Sequence, residues 1–116
     1  MPEIFFFDQG NDPRPKEEVT IEELKADPYP DGERVKLTII LTEFLEKPNL
    51  SIIVMNSAGE TVASSEVLEV MSARSELTIH LRDPQSSGPY TVRTALYYGE
   101  LDPLETREIR FDLGVP

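Results

Sequence analysis

The chain contains a single histidine, His80, and no cysteine. A serine–histidine–acid site would have to use His80 as its base, while cysteine nucleophiles, disulfides and thiolate zinc sites are excluded by composition. His80 stands between Thr78 and Arg82 in a segment where polar and apolar residues alternate, so we expect it on the solvent face of a strand. The sequence also has no glycine-rich phosphate loop and no histidine pair at metal-ligand spacing. We therefore predict a chain that is not an enzyme and uses no cofactor.

Carboxylates are the second group able to do chemistry, because oxygen ligands from converging loops can bind calcium. Three loops supply candidates: Asp8, Asn11 and Asp12; Asp27, Asp31 and Glu33; Asp102 and Glu105. None of these sets has the spacing of an EF-hand loop. We therefore predict no metal site, and keep a small-ligand or calcium-binding module that uses the acidic loops as the alternative function.

The charge balance argues against two classes of partner. There are 22 acidic and 11 basic residues, a net charge of −11, and such a surface repels both phosphate backbones and anionic lipids. The opening stretch "MPEIFFFDQG" has no basic segment, and its apolar part, residues 4–7, is too short for a signal peptide or a membrane span. We expect no nucleic acid or membrane partner and a cytoplasmic location.

Alternating polarity along most of the chain predicts half-buried β-strands. The clearest segment is 35–42, where Val35, Leu37, Ile39 and Leu41 share one face. Further strands are predicted at 49–56, 61–64, 75–82, 89–98 and 106–113. Turn signals separate them, namely Pro30-Asp31-Gly32 and the glycine-containing loop "NSAGE" at 56–60.

Two segments are ambiguous from the sequence. Residues 19–27 favour a strand over a short helix capped by Thr20, because Val19 and Ile21 alternate and Pro28 would stop a helix early. Residues 64–72 fit either a short strand or one helical turn. Seven or eight short strands without a long helix indicate an all-β antiparallel fold, since parallel strands need crossover helices.

Three stretches resemble bacterial immunoglobulin-like and fibronectin-type-III-like domains: "ADPYPDGERVKLTIILTE", "NLSIIVMNSAGETVAS" and "LTIHLRDPQSSGPYTVRTALYY". The resemblance implies an immunoglobulin-like β-sandwich of seven to eight strands over residues 19–116, preceded by an apolar arm and polar linker at 1–18. Tyr90 stands where such domains often have a tyrosine corner, a ring packed inward at the start of a late strand.

In such a sandwich, the strands predicted near 49–56, 89–98 and 106–113 would lie in one sheet. Nine of their residues would face the core: Leu50, Ile52, Val54, Val92, Leu96, Tyr98, Ile109, Phe111 and Leu113. The opposite side of that sheet would then carry an apolar patch, which is unexpected on an isolated acidic monomer. The predicted interaction patch is Ile53, Met55, Arg93, Ala95 and Tyr97, with Arg110 as a second flanking cation.

Three explanations of this patch stay open at this stage. The N-terminal arm (Ile4, Phe5, Phe6 and Phe7) or segment 64–72 covers it, a protein partner or a second copy docks on it with Tyr97 as anchor, or a bulge reverses the strand parity. The arm itself has two interpretations. It is the first edge strand of the sandwich, or it is a segment that docks on its own domain or swaps into a neighbouring chain. We predict a non-catalytic interaction or assembly module, with homodimerisation as one form.

Overall fold

The computed structural model describes residues 13–81, 89–99 and 103–112. Within these ranges it contains seven β-strands and a single 3₁₀ turn at Lys16–Glu18. The strands are β1 Ile21–Pro28, β2 Arg34–Leu41, β3 Asn49–Met55, β4 Thr61–Val67, β5 Arg74–His80, β6 Tyr90–Tyr97 and β7 Glu105–Phe111. No helix in the described part of the chain is long and apolar enough to cross a membrane.

The strands form two antiparallel sheets. One has three strands in the order β1-β2-β5, and the other has four in the order β4-β3-β6-β7. The inner face of each sheet is apolar, and the two inner faces pack on each other and form a single core. The predicted all-β antiparallel sandwich is therefore confirmed, with seven strands in the described residues.

The predicted division of β2, β3, β6 and β7 into two faces is also confirmed. Val35, Leu37, Ile39 and Leu41 of β2 are at most 2% exposed. The inner face of the four-stranded sheet is equally closed, with Leu50, Ile52, Val54, Val92, Leu96, Tyr98 and Phe111 buried and Ile109 packed against the core. Leu113 lies outside the described residues. The alternative that a bulge reverses the parity of these strands is therefore wrong.

Neither ambiguous segment is helical. Residues 21–28 are strand β1, not a helix, because the segment pairs along its length with β2. Strand β4 includes the first part of 64–72 and ends at Val67. The chain then crosses to the other sheet, with Glu69 at φ 53° and Val70 only 2% exposed in the core.

The predicted turns close two hairpins. Between β1 and β2, Asp31 accepts hydrogen bonds from the Glu33 and Arg34 amides and from Arg34 Nε, while Gly32 takes φ 73°. The Glu33 amide, followed by Arg34, lowers the pKa of Asp31. Between β3 and β4, Asn56 Oδ1 accepts from the Ala58 and Glu60 amides.

One lateral side of the sandwich is bridged by hydrogen bonds between β1 and β7. The Ile21 amide donates to Glu105 Oε1 at 2.5 Å, and Arg107 Nη1 donates to the Glu22 carbonyl oxygen at 3.3 Å. The opposite side is formed by β4 and β5, the other two strands that end a sheet. The two lateral sides therefore differ: one is tied together, and the other leaves a groove between the sheets.

Residues 13–18, which we assigned to the predicted linker, lie along the body of the sandwich. The Arg14 amide donates to the Glu43 carbonyl oxygen at 2.9 Å, and the Leu45 amide donates to the Arg14 carbonyl oxygen at 3.1 Å. Lys16 Nζ stands 5.9 Å from the centre of the Tyr98 ring. The division between arm and sandwich at residue 18 stays a prediction.

Candidate interaction face

The outer face of the four-stranded sheet carries all five residues of the predicted patch. Ile53 and Met55 stand on β3, and Arg93, Ala95 and Tyr97 on β6, where they alternate with residues buried on the inner side. Arg93 is exposed, whereas the other four are half-buried. Strand alternation alone was thus enough to place these side chains on one surface.

The register of β3 and β6 makes the apolar members contiguous. Ile53 is paired with Arg93, Ser51 with Ala95, and Asn49 with Tyr97. Ile53 and Ala95 are therefore diagonal neighbours, roughly 7–8 Å apart by the usual sheet spacing. Met55 extends the line along β3 and Tyr97 extends it along β6. We call Met55, Ile53, Ala95 and Tyr97 the outer stripe.

Charges on this face balance one another, although the chain as a whole is strongly acidic. The charged side chains of the outer positions of the four strands are Glu66, Arg93, Glu108 and Arg110, two of each sign. Arg93 Nε lies 2.6 Å from Glu108 Oε2 across the β6–β7 pair. Both side chains are about half exposed, so this ion pair contributes little to the stability of the fold. It places one charge of each sign beside the outer stripe.

Tyr97 has a polar partner as well as an apolar position. Its hydroxyl donates to Glu66 Oε2 at 2.5 Å. Since Glu66 belongs to β4 and β3 lies between β4 and β6, the Tyr97 side chain must reach across the β3 backbone. This hydrogen bond, with smaller contributions from desolvation and the Glu66 charge, raises the pKa of Tyr97.

Two exposed leucines at the Tyr97 end of the sheet were missed from the sequence. Leu104 is 45% exposed and precedes Glu105, the first residue of β7, and its amide donates to the carbonyl oxygen of Leu96, the residue before Tyr97. Leu68 is 66% exposed and follows Val67, the last residue of β4. Continuing the alternation one residue beyond each strand end would have found both.

The outer face of the three-stranded sheet has a different character. On the central strand β2, Thr38 is paired with Lys25 of β1 and Glu76 of β5, and Lys36 is paired with Asp27 of β1 and Thr78 of β5. Ile40 stands between Glu23 and Arg74, and the Tyr29 ring lies on this face with its hydroxyl 3.2 Å from Thr78 Oγ1 and with the Arg34 guanidinium 4.3 Å from the ring centre. Charged side chains therefore flank the apolar and aromatic groups of this face.

The remaining candidate residues fall into two groups. The arm residues Ile4, Phe5, Phe6 and Phe7 and the candidate calcium ligands Asp8, Asn11, Asp12 and Asp102 lie outside the described residues. Of the others, Asp31 is engaged by its own turn and Glu105 accepts from the Ile21 amide. In the described ranges, no group of three or more histidine, aspartate or glutamate side chains is placed to hold a metal ion.

The two aromatic positions singled out in β6 and after it are buried. Tyr90 is 1% exposed, and its ring stacks on Phe111 with centroids 5.5 Å apart, so the ring has the inward position predicted for a tyrosine corner. The Tyr98 hydroxyl donates to the Glu46 carbonyl oxygen at 2.9 Å. Burial, followed by the Glu46 and Glu17 charges, raises the pKa of Tyr98. His80 is exposed at the end of β5, as predicted.

Comparison with known proteins supports the fold class. No family model matches the chain, and none of the curated proteins matches it. Among solved structures it is similar to a β-glucuronidase from Ruminococcus gnavus in complex with C6-substituted uronic isofagomine, with 14% identity and a TM-score of 0.60, covering 83% of this chain and 16% of that one. It is also similar to the Parabacteroides merdae β-glucuronidase, with 16% identity and a TM-score of 0.64, covering 82% and 14%.

A third similar structure is a glycosyl hydrolase family 2 member from Bacteroides cellulosilyticus, with 17% identity and a TM-score of 0.60, covering 82% of this chain and 15% of that one. At such identities the likeness shows the fold alone. The chain is a β-sandwich of the immunoglobulin-like class, and the resemblance to such domains is confirmed. It spans only 14–16% of these three glycosidase chains, so the match concerns a minor part of each.

Proposed function

We propose that this chain is a non-catalytic interaction or assembly module that docks a protein partner, or a second copy of itself, through the outer face of the four-stranded sheet. The observation that supports this most directly is the outer stripe. It is a continuous line of Met55, Ile53, Ala95 and Tyr97 on a face without net charge, in a chain whose net charge is −11. Depletion of charge around aromatic and apolar anchors is typical of the centre of protein interfaces.

The size of the face sets the kind of complex to expect. Four strands spaced by about 4.8 Å and seven residues long at about 3.3 Å per residue give a projected area of roughly 450 Å². Two partners would then bury about 900 Å² in total, which is below the usual 1,200–2,000 Å² of stable complexes and within the range of transient ones. Leu68 and Leu104 at the Tyr97 end would extend the contact.

The similar structures are compatible with a modular role. In each of them the matched sandwich is a minor part of a much longer glycosidase chain. The proposal that this chain has no catalytic role of its own rests instead on its residues, with one exposed histidine and no cysteine.

The proposal is tested by a pair of matched variants. Ile53→Glu places a carboxylate in the outer stripe, and Ile40→Glu makes the same change at a half-buried position on the outer face of the other sheet. Light scattering after gel filtration measures self-association over a range of concentrations, and retention of other proteins on the immobilised chain measures partner binding. We expect Ile53→Glu to abolish the interaction seen and Ile40→Glu to leave it intact.

Two results would contradict this function. One is that the chain is monomeric at every concentration and that no protein retained by the parent chain is lost from Ile53→Glu. The other is an equal loss of binding in both variants, because that would mean a general effect of added charge. Thermal melts of both variants show whether each still folds.

A further inference from the structure

The four strands that end a sheet are not equally protected. Edge strands are commonly blunted by charges or proline, because their unpaired backbone groups can accept another strand. β1 has charges at four of its eight positions and ends in a proline, and β7 has charges at four of seven. β5 carries Arg74, Glu76 and His80. In β4, with the sequence TVASSEV, Glu66 is the single charged residue.

The free edge of β4 adjoins the groove on the unbridged side of the sandwich. No other strand of the described residues pairs with that edge. The groove has a volume of about 530 Å³ and is lined by β4 residues 62–65, by β5 residues 78–80 and by Leu81, which follows β5. Its apolar lining residues are Val62, Ala63, Ile79 and Leu81, each at most 8% exposed. An added strand would therefore find free backbone groups on β4, in a groove where the hydroxyl-bearing side chains of Ser64, Ser65 and Thr78 lie beside the four apolar residues.

Charge decides which peptide fits. The uncharged run Thr61–Ser65 is preceded by Glu60 and followed by Glu66 and Glu69, and the whole chain adds a long-range negative potential. A cationic segment would be attracted, whereas a second copy with its own charge of −11 would be repelled. We propose that β4 is a docking edge for an extended cationic peptide segment of a partner protein, added antiparallel or parallel to β4 with small apolar side chains facing the groove.

This site is distinct from the outer stripe, since it uses the backbone edge of β4 and the space between the sheets. Strand addition of this kind gains affinity from main-chain hydrogen bonds and specificity from the pockets under alternate side chains. Glu60 and Glu69, which are exposed just outside the two ends of β4, would attract lysine or arginine at the ends of the peptide, whereas Glu66 is held by Tyr97 on the outer face.

The test uses the full chain and two synthetic peptides as long as β4, Lys-Val-Thr-Val-Thr-Val-Lys and Glu-Val-Thr-Val-Thr-Val-Glu. Binding is measured by fluorescence anisotropy, and the site is mapped by amide chemical shifts in NMR. Two variants add the same charge at different places. Ser65→Lys puts an inward-pointing cation into the groove, and Ser57→Lys puts it in the β3–β4 turn.

We expect the cationic peptide to bind, to shift the amides of 62–65 and 78–81, and to protect from hydrogen exchange the alternate β4 amides that do not bond to β3. Ser65→Lys should raise its Kd roughly tenfold or more, as an edge-blocking charge does, while Ser57→Lys should not. Thermal melting of Ser65→Lys confirms that the loss is not a loss of folding. If that variant does not fold, Ser64→Pro serves as the second block of the edge.

Four outcomes would overturn the inference. They are equal binding of both peptides, equal weakening by both lysine variants, peptide-induced shifts confined to the outer stripe, and protection without peptide of the alternate β4 amides that do not bond to β3. In the last case, protection of these amides that increases with the concentration of the chain would mean that a second copy occupies the edge. Release of protection on removing residues 1–12 would assign it to the chain's own N-terminal segment.

Discussion

Replacing Thr94 by valine is expected to stabilise the sandwich. Thr94 is fully buried on the inner face of β6, in register between Ile52 on β3 and Arg107 on β7. Among the described residues its Oγ1 is the one buried side-chain nitrogen or oxygen atom without a hydrogen-bond partner. Valine keeps the branched shape that suits a strand and replaces the hydroxyl by a methyl group.

The magnitude follows from two contributions of the same sign. A buried hydroxyl without a partner costs about 1–3 kcal/mol, and burying a methyl group in its place contributes up to about 0.8 kcal/mol. Because a relaxed native state recovers part of the hydroxyl's cost, we expect a gain of about 1–2 kcal/mol in the free energy of unfolding. That corresponds to a rise of roughly 4–10 °C in Tm for a domain of this size.

Urea unfolding followed by far-ultraviolet circular dichroism measures the change, provided that the slopes of variant and parent agree. Thr91→Val is the matched control, because Thr91 lies on the same strand with its side chain on the half-exposed outer face. It should change stability by less than about 0.5 kcal/mol. A Thr94→Val protein that is no more stable than its parent would show that the hydroxyl is satisfied, and would refute the reasoning.

Two further predictions concern Tyr97 and Gly59. Since the Glu66 hydrogen bond raises the folded-state pKa of Tyr97, it contributes stability that is fully present below the ordinary tyrosine pKa of about 10 and is lost as the pH rises through the raised value. Tyr97→Phe should therefore have a lower free energy of unfolding than the parent at neutral pH, and that free energy should fall less as the pH is raised above about 10. Equal pH dependence of the free energy of unfolding in parent and variant, measured by urea unfolding, would contradict this. Gly59 has φ 84° and open space around its Cβ position, so Gly59→Ala should cost about 1 kcal/mol from backbone strain alone; a Ser57→Ala variant in the same turn should be neutral in the same urea assay.

Much of the fold could be predicted because the information is local. The alternation of Val35, Leu37 and Ile39 fixes which side of β2 is buried wherever β2 stands in the sheet. The turn at Pro30-Asp31-Gly32 is likewise set by its own residues, since Asp31 accepts hydrogen bonds from the amides that follow it. A strand could be favoured over a helix at 19–27 for the same reason.

What the sequence left open depends on contacts between distant residues. The outer stripe is contiguous only because Ser51 pairs with Ala95, and alternation does not set that register. The Tyr97–Glu66 hydrogen bond joins residues 31 positions apart on strands that are not neighbours. The orphaned hydroxyl of Thr94 was hidden for a similar reason, because a threonine on a core-facing position normally finds a partner that only the packed structure reveals.

The two proposed surfaces respond to salt with opposite signs, which gives a way to separate them in one experiment. Two copies that meet through the neutral outer stripe must overcome the mutual repulsion of two chains of charge −11, so screening should strengthen self-association. A cationic peptide on the β4 edge is drawn in by the same charge, so screening should weaken it. The Debye length falls from about 30 Å at 0.01 M to about 10 Å at 0.1 M salt, and the two affinities should therefore diverge across that range. If both fall together, the outer stripe attracts its partner by charge, and the apolar interpretation of that face is wrong.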